Sequence, residues 1–279
     1  MLLGNSDILI TQLNLFDGIA HKQAQFLNRH FPLHFHHEWS LAWIETGSEW
    51  LIMHNREILL PAGSFVLIPP YAAHANKGNP DAFWKYRSMY MNRDAFAYLC
   101  LSNGMANENM TQLSYQISRN PLLIPSFKSL TQNDMSKPMM ENEIKKLFSI
   151  FFKSILAEKK QTKNEEKKGI HLDEIIGFIN ETFRDKMTLD QLSKKFAIDK
   201  FRLLRCFRSL AGLTPQEYLT ALRIEHAKKL LYGNFPLVEV SFESGFYDQS
   251  HFNHTFLKYV GISPGNYRKR CNILQDRQQ

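Results

Sequence analysis

The chain has 279 residues and a formal charge of +7, with 44% hydrophobic and 22% charged positions. That length suits two domains, each with a core of its own, and a composition near the globular average excludes a wholly disordered or collagen-like chain. The basic excess, with a pI near 9.2, fits an acidic partner but does not by itself separate nucleic acid from a membrane surface.

Cys100, Cys206 and Cys271 are far apart and odd in number, which argues against a disulfide framework or a cysteine zinc site. The start MLLGNSDILI lacks the regions of a secretion signal, and even the run FSIFF is cut short by Lys153. A soluble cytoplasmic protein without membrane association is expected.

From His34 to Met91 the chain reads as β structure. The short runs LAWIE, EWLIMH, EILL, SFVLIP and KYRSMYM are separated by Gly, Asn or Pro signals, the pattern of a sandwich or barrel. Within it, strand alternation puts His34, His36 and Glu38 on one face and His37 on the other. From Glu143 to Glu158 the period changes, with Ile144, Leu147, Phe148, Phe151, Ile155 and Leu156 on one face of a helix. Glu158 to Gly169, EKKQTKNEEKKG, has no large apolar residue and reads as a charged linker. It separates an amino-terminal domain, residues 1–157, from a carboxyl-terminal one, residues 170–279.

Beyond the linker every pattern is helical. Leu172, Ile175, Ile176 and Ile179 recur at helical spacing. Thr188 with Gln191 and Thr214 with Glu217 fit capping boxes, in which each side chain satisfies a free backbone donor. Pro215 and Pro264 sit at first helical positions. This part also repeats itself at an offset of 49, pairing Asp199 with Asp248, Leu203 with Phe252, Phe207 with Phe256, Gly212 with Gly261, Pro215 with Pro264 and Tyr218 with Tyr267. Each copy is a short apolar helix (LDQLSKKFA or LVEVSFESG), a tight turn and an Asp-capped second helix, a unit that many DNA-binding proteins use. The units fall at residues 188–210 and 237–260. The helix between them, Pro215 to Tyr232, would extend about 27 Å and hold them roughly one duplex turn apart.

Helical geometry turns Leu203, Cys206, Phe207 and Leu210 inward and leaves Phe201, Arg205 and Arg208 outward. In the second unit Ser250, Asn253 and His254 face outward, with Gln249 at the helix start. Arg pairs well with guanine and Asn or Gln with adenine, so these are base-reading types. Six basic residues, including Lys200 and Arg202, stand against one acidic residue between Lys194 and Arg208, a density suited to phosphates. A basic amphipathic helix alone is usually a solvated surface; two units in register are the stronger signal.

The stretch from MTLDQLSKKFAIDKFRLLRCFRSL to GFYDQSHFNHTFLKYVGISPGNYRKR resembles the DNA-binding domain of AraC-type transcription regulators. The resemblance implies two helix-turn-helix units reading adjacent major grooves of double-stranded DNA. Phe201, Leu204 and Arg205 then occupy reading positions in the first unit, and Gln249, Ser250 and His254 in the second. A homodimer and contact with RNA polymerase also follow, with residues 143–158 as the dimer element unless their stripe covers the barrel instead.

HFHHEW and GSFVLIPPYAAH resemble the two cupin motifs of that family's effector-binding domain, with Gly63 and Pro69 in the second. The fold class expected is therefore α+β multidomain, a cupin-like β-barrel with helices followed by an all-α domain. His34, His36, Glu38, His74, Arg87 and Trp43 are the effector-binding candidates: Arg87 could pair with a carboxylate, and Trp39, Trp50, Trp84, Tyr86 and Tyr90 supply further aromatics. Three His and a carboxylate are also a transition-metal ligand set. The usual cupin Glu positions hold Ser40 and Leu41, however, and AraC-type barrels generally lack the metal, so a polar pocket without metal or other cofactor is expected. No nucleophile-elbow, HExxH or P-loop string occurs, and no catalytic residue is assigned. The reading is a non-enzymatic, sequence-specific regulator, an activator controlled by a small organic effector. A metal-dependent cupin enzyme fused to a DNA-binding domain and a ligand-independent architectural DNA binder are the alternatives.

Overall fold

The computed structural model describes residues 6–12, 19–27, 29–53, 56–79, 83–105, 114–130, 135–158 and 172–275. The expected linker from 158 to 169 falls outside these, apart from Glu158 at a helix end.

Ten strands build the amino-terminal part: β1 (Ser6–Gln12), β2 (Ile19–Leu27), β3 (His30–His34), β4 (Trp39–Thr46), β5 (Ser48–Met53), β6 (Arg56–Pro61), β7 (Phe65–Ile68), β8 (His74–Gly78), β9 (Phe83–Met91) and β10 (Gln116–Ser118). They form a six-stranded sheet, β1-β2-β9-β4-β7-β10, and a four-stranded one, β3-β8-β5-β6, with antiparallel pairing throughout. Ile44, Val66 and Ile68 of the large sheet pack on Leu51, Met53 and Leu60 of the small one, so the two sheets face each other in a cupin-like barrel.

Strand structure thus begins well before His34. Strand β2 lacks the expected signal because its buried positions include His21 on the helix-covered face and Ala24 on the opposite one, a polar and a small residue where alternation normally shows large apolar ones.

Three helices cover the outer face of the large sheet: α1 (Arg93–Ser102), α2 (Leu123–Ser129) and α3 (Lys137–Glu158). Helix α3 starts six residues before the expected Glu143. Its stripe of Ile144, Leu147, Phe148, Phe151 and Ile155 is buried with Trp39, Trp43, Phe65, Met89 and Phe127 in one core; only Leu156 stays exposed. The stripe therefore seals the barrel. Of the two roles expected for this stripe, covering the barrel is the one its packing shows.

Seven helices follow: α4 (Leu172–Thr182), α5 (Leu189–Lys195), α6 (Lys200–Ala211), α7 (Pro215–Leu230), α8 (Leu237–Glu243), α9 (Gln249–Val260) and α10 (Pro264–Gln275). Both capping boxes form, Thr188 with Gln191 and Thr214 with Glu217. The connector α7 stops at Leu230, so it spans about 24 Å, somewhat less than the sequence suggests. No helix among the described residues is long and apolar enough to cross a membrane.

The helical part rests directly on the barrel. Phe35 and Ala73 join the core of the first unit with Leu203, Phe207 and Tyr218. Ala24, Phe26, Phe31 and Trp84 join that of the second with Phe252 and Phe256.

Candidate functional site

The second helix of each unit is built in the same way. Asp199 caps α6 by accepting from the backbone N–H groups of Phe201 and Arg202, each at 3.0 Å. Asp248 caps α9 by accepting from His251 N–H at 2.7 Å. Both helices end on a left-handed glycine, Gly212 (φ 74°) and Gly261 (φ 92°), which releases the chain without a Cβ clash.

Burying Leu203 and Phe207 leaves Lys200, Phe201, Arg202, Arg205 and Arg208 exposed, with Leu204 half-buried. Burying Phe252, Thr255 and Phe256 leaves Ser250 and His254 exposed, with Gln249 and Asn253 half-buried. Lys200 Nζ stands 3.5 Å from the Asp190 carboxylate. Among the described residues Arg202, Arg205 and Arg208 have no acidic partner within salt-bridge reach. These guanidiniums are thus available to phosphates or guanine edges.

A second feature lies between the domains. A cavity of about 140 Å³ is lined by His34, His36, Glu38 and His74 from the barrel and by Glu225 and Lys228 from α7. His34 and His74 face each other across the β3–β8 pairing, with ring centroids 4.4 Å apart. His36 stands 4.9 Å from His34 and 5.2 Å from His74. His37 points elsewhere and meets the Tyr71 hydroxyl at 3.0 Å. Two backbone bonds fix the cluster: His34 Nδ1–H donates to Pro32 O at 2.7 Å and His74 Nδ1–H to Ala72 O at 2.8 Å.

Burial disfavours charge on all three rings. It holds His34 well below the ordinary histidine range, aided by His74 and His36, lowers His36, and, together with His36, takes His74 down to about 3. Burial would raise the Glu225 carboxyl, but Lys228, with Nζ 2.6 Å from Oε1, outweighs it and holds that carboxyl below the carboxylate range. Lys22, also on the lining, is lowered to about 7, first by desolvation and then by Lys228.

Of the effector candidates, His34, His36, Glu38 and His74 share this cavity, whereas Arg87 and Trp43 lie outside its lining. Arg87 is paired with Glu45 at 2.7 Å and stacks over Trp43, which is buried in the core under the helices. That correction has a simple physical basis: strand alternation sends both side chains to the outer face of the large sheet. Trp39 also belongs to that outer core, and Trp50 is partly exposed, while Trp84, Tyr86 and Tyr90 do line the cavity.

Sequence reasoning missed Glu225 and Lys228. The one available signal is a charged residue, Glu225, among the apolar positions Leu222, Ile224 and Ala227; that it is only 5% exposed emerges from the fold. In one dimension it reads as a solvated helix face.

Two family profiles match the chain, the AraC-like ligand binding domain over residues 18–167 and the Helix-turn-helix domain over residues 192–270. The first spans more than half of the sequence. The chain belongs to the AraC family of transcription regulators. Members of this family are DNA-binding regulators with a ligand-binding domain, not enzymes. The uncharacterized HTH-type transcriptional regulator YbfI of Bacillus subtilis is 26% identical over 85% of this chain and 83% of its own length. The HTH-type transcriptional activator RhaS of Escherichia coli is 23% identical over 88% of this chain and 90% of its own. Among solved structures, ToxT from Vibrio cholerae superposes with a TM-score of 0.57 at 13% identity, covering 91% of this chain and 98% of ToxT. Its unsaturated fatty acid bound form gives 0.56 at 15%, covering 96% and 97%. At that identity the likeness establishes the α+β architecture alone.

Proposed function

We propose that this AraC-family protein is a sequence-specific activator working with RNA polymerase, and that a small organic effector in the interdomain cavity sets its affinity for operator DNA. Lys200, Arg202 and Arg208 hold phosphates in this reading. Arg205 reads a base edge and Phe201 and Leu204 give apolar contact. Gln249, Ser250, Asn253 and His254 read the adjacent major groove.

The observation that carries the regulatory part is that barrel histidines and the Glu225–Lys228 pair of α7 line one cavity. Helix α7 connects the two helix-turn-helix units, so a ligand touching both walls gains or loses contacts when the units move relative to the barrel. A ligand with different affinities for two such arrangements shifts their populations and, by linkage, the DNA affinity. The activator role draws on the likeness to RhaS, named as an activator and matched along most of both chains.

Sequencing of genomic fragments bound by the full-length protein tests the DNA-reading part, with a shared motif of two half-sites expected. Equal recovery of random fragments would point to an architectural binder. Footprints on the recovered operator, with and without compounds that raise the melting temperature, then test the effector part.

A further inference from the structure

The interdomain cavity contains a group that an organic effector alone does not explain. His34, His36 and His74 each offer a ring nitrogen, and these three atoms lie within 4.8 Å of one another. Three imidazoles, His34 and His74 buried and His36 partly so, thus bring three nitrogen donors to one place, a ligand set that suits a divalent transition ion.

The Nδ1 atoms favour the same conclusion. In His34 and His74 that atom is spent on Pro32 O and Ala72 O, which leaves Nε2 as the lone-pair nitrogen and fixes the tautomer. In His36 it is buried without a hydrogen-bond partner, yet it faces Glu225 Oε1 at 3.5 Å. A metal-ligating histidine characteristically gives its other ring N–H to a carbonyl or carboxylate, and all three rings have such an acceptor at or just beyond bonding distance. Glu38 lines the cavity but does not join the group of converging ligand atoms. The carboxylate facing the cluster belongs to the DNA-binding domain.

We propose that His34, His36 and His74 bind one divalent transition-metal ion through Nε2, and that Glu225 of α7 is the positioning residue that accepts the His36 Nδ1–H, so that metal occupancy fastens the DNA-binding domain to the barrel. Metal–nitrogen bonds of about 2.0–2.1 Å bring ligand nitrogens to about 3.3 Å from one another. The rings therefore draw in by about 1 Å, which rotation about their broad terminal torsions supplies. As His36 moves, Glu225 follows or its hydrogen bond fails, and Glu225 is held by Lys228 at 2.6 Å. The remaining coordination positions stay open to an oxygen or nitrogen donor of an effector. The inference deepens the preceding reading and rests on it only for the link to DNA binding.

The test is titration of full-length, chelator-stripped protein with Co(II), read by visible d–d absorption, with Zn(II) and Ni(II) competition and elemental analysis of the loaded protein. One ion per chain is expected. His74→Gln should abolish binding, while His37→Gln, outside the cluster, should keep it. Glu225→Gln should keep the 1:1 stoichiometry but lower the affinity by about 10–100-fold. It should also remove the metal-induced slowing of hydrogen exchange in α7. Circular dichroism of each variant without metal shows whether loss of binding is loss of fold; if His74→Gln is unfolded, His34→Gln replaces it. No binding by the wild type, equal binding by the folded histidine variants, or an unchanged affinity and exchange response in Glu225→Gln would overturn the proposal. No metal binding, together with an organic effector that still alters DNA affinity, would sink this inference alone and leave the regulatory reading standing.

Discussion

Arg205 is exposed on the face of α6 opposite the buried Leu203 and Phe207. If it reads a guanine edge, Arg205→Ala weakens binding to the specific operator by about 1–3 kcal/mol and relaxes one base position. Gel-shift titrations on operator and random duplex decide this; an equal loss on both would assign it to phosphate alone. A second residue-scale prediction concerns Glu49, buried in the cavity wall with Asn76 Nδ2 donating to it at 3.3 Å. Burial raises its carboxyl to about 8 from an ordinary value near 4.5. Between those two values the folded state binds more protons than the unfolded chain, so this residue's contribution to stability falls as pH rises through the window. Glu49→Gln should flatten that fall and melt higher than the wild type at pH 9. A variant whose melting temperature keeps the wild-type pH dependence would refute it. Both residues were present in the sequence, but only Arg205 was legible there. Its role follows from helix periodicity, whereas the environment of Glu49 depends on strands joined across 27 residues.

At the scale of elements, the capping and turn signals were largely readable, because a cap is a contract between residues two or three apart. Asp199 illustrates this. It holds two backbone donors of α6, so Asp199→Ala should destabilise the helical domain by about 0.5–2 kcal/mol. Chemical denaturation monitored in the far ultraviolet measures that loss. Gly212 shows where local reasoning stops. Its φ of 74° suits a glycine, and a Cβ there would also stand 3.0 Å from the Ala73 Cβ of the barrel. Gly212→Ala therefore strains the cap and crowds the domain contact at once. Helix α3 failed in the same way: its apolar stripe was plain from period, but period cannot say whether a sheet or a second subunit receives it. The strands β1 to β3 were missed because pairing, of β1 with β2, β2 with β9 and β3 with β8, supports them more than their own alternation does.

At the scale of the whole molecule, the barrel holds the second recognition helix directly. Arg29 Nη2, between β2 and β3, donates to Leu257 O at 2.6 Å and to Lys258 O at 3.3 Å, adding a positive charge at the negative end of α9, where Leu257 O also accepts from Gly261 N–H at 2.9 Å. Arg29→Ala should raise hydrogen exchange in the last turn of α9 and change DNA affinity in the absence of effector. Unchanged exchange there would mean that the apolar packing of Phe26, Phe31 and Trp84 suffices by itself.

The opening charge excess is resolved at this scale too. Most of it lies beyond residue 170, with the density between Lys194 and Arg208 displayed on α5 and α6. The sequence alone determined the two-domain division, the duplicated helix-turn-helix unit and its outward residues, because periodicity, caps and a repeat are written in neighbouring positions. Only the tertiary structure decided that α3 seals the barrel, that Arg87 and Trp43 lie outside the cavity, and that Glu225 and Lys228 complete its wall. Those facts depend on surfaces far apart in the chain, His34 and Glu225 being 191 positions apart, and no local pattern encodes which surface a side chain will meet.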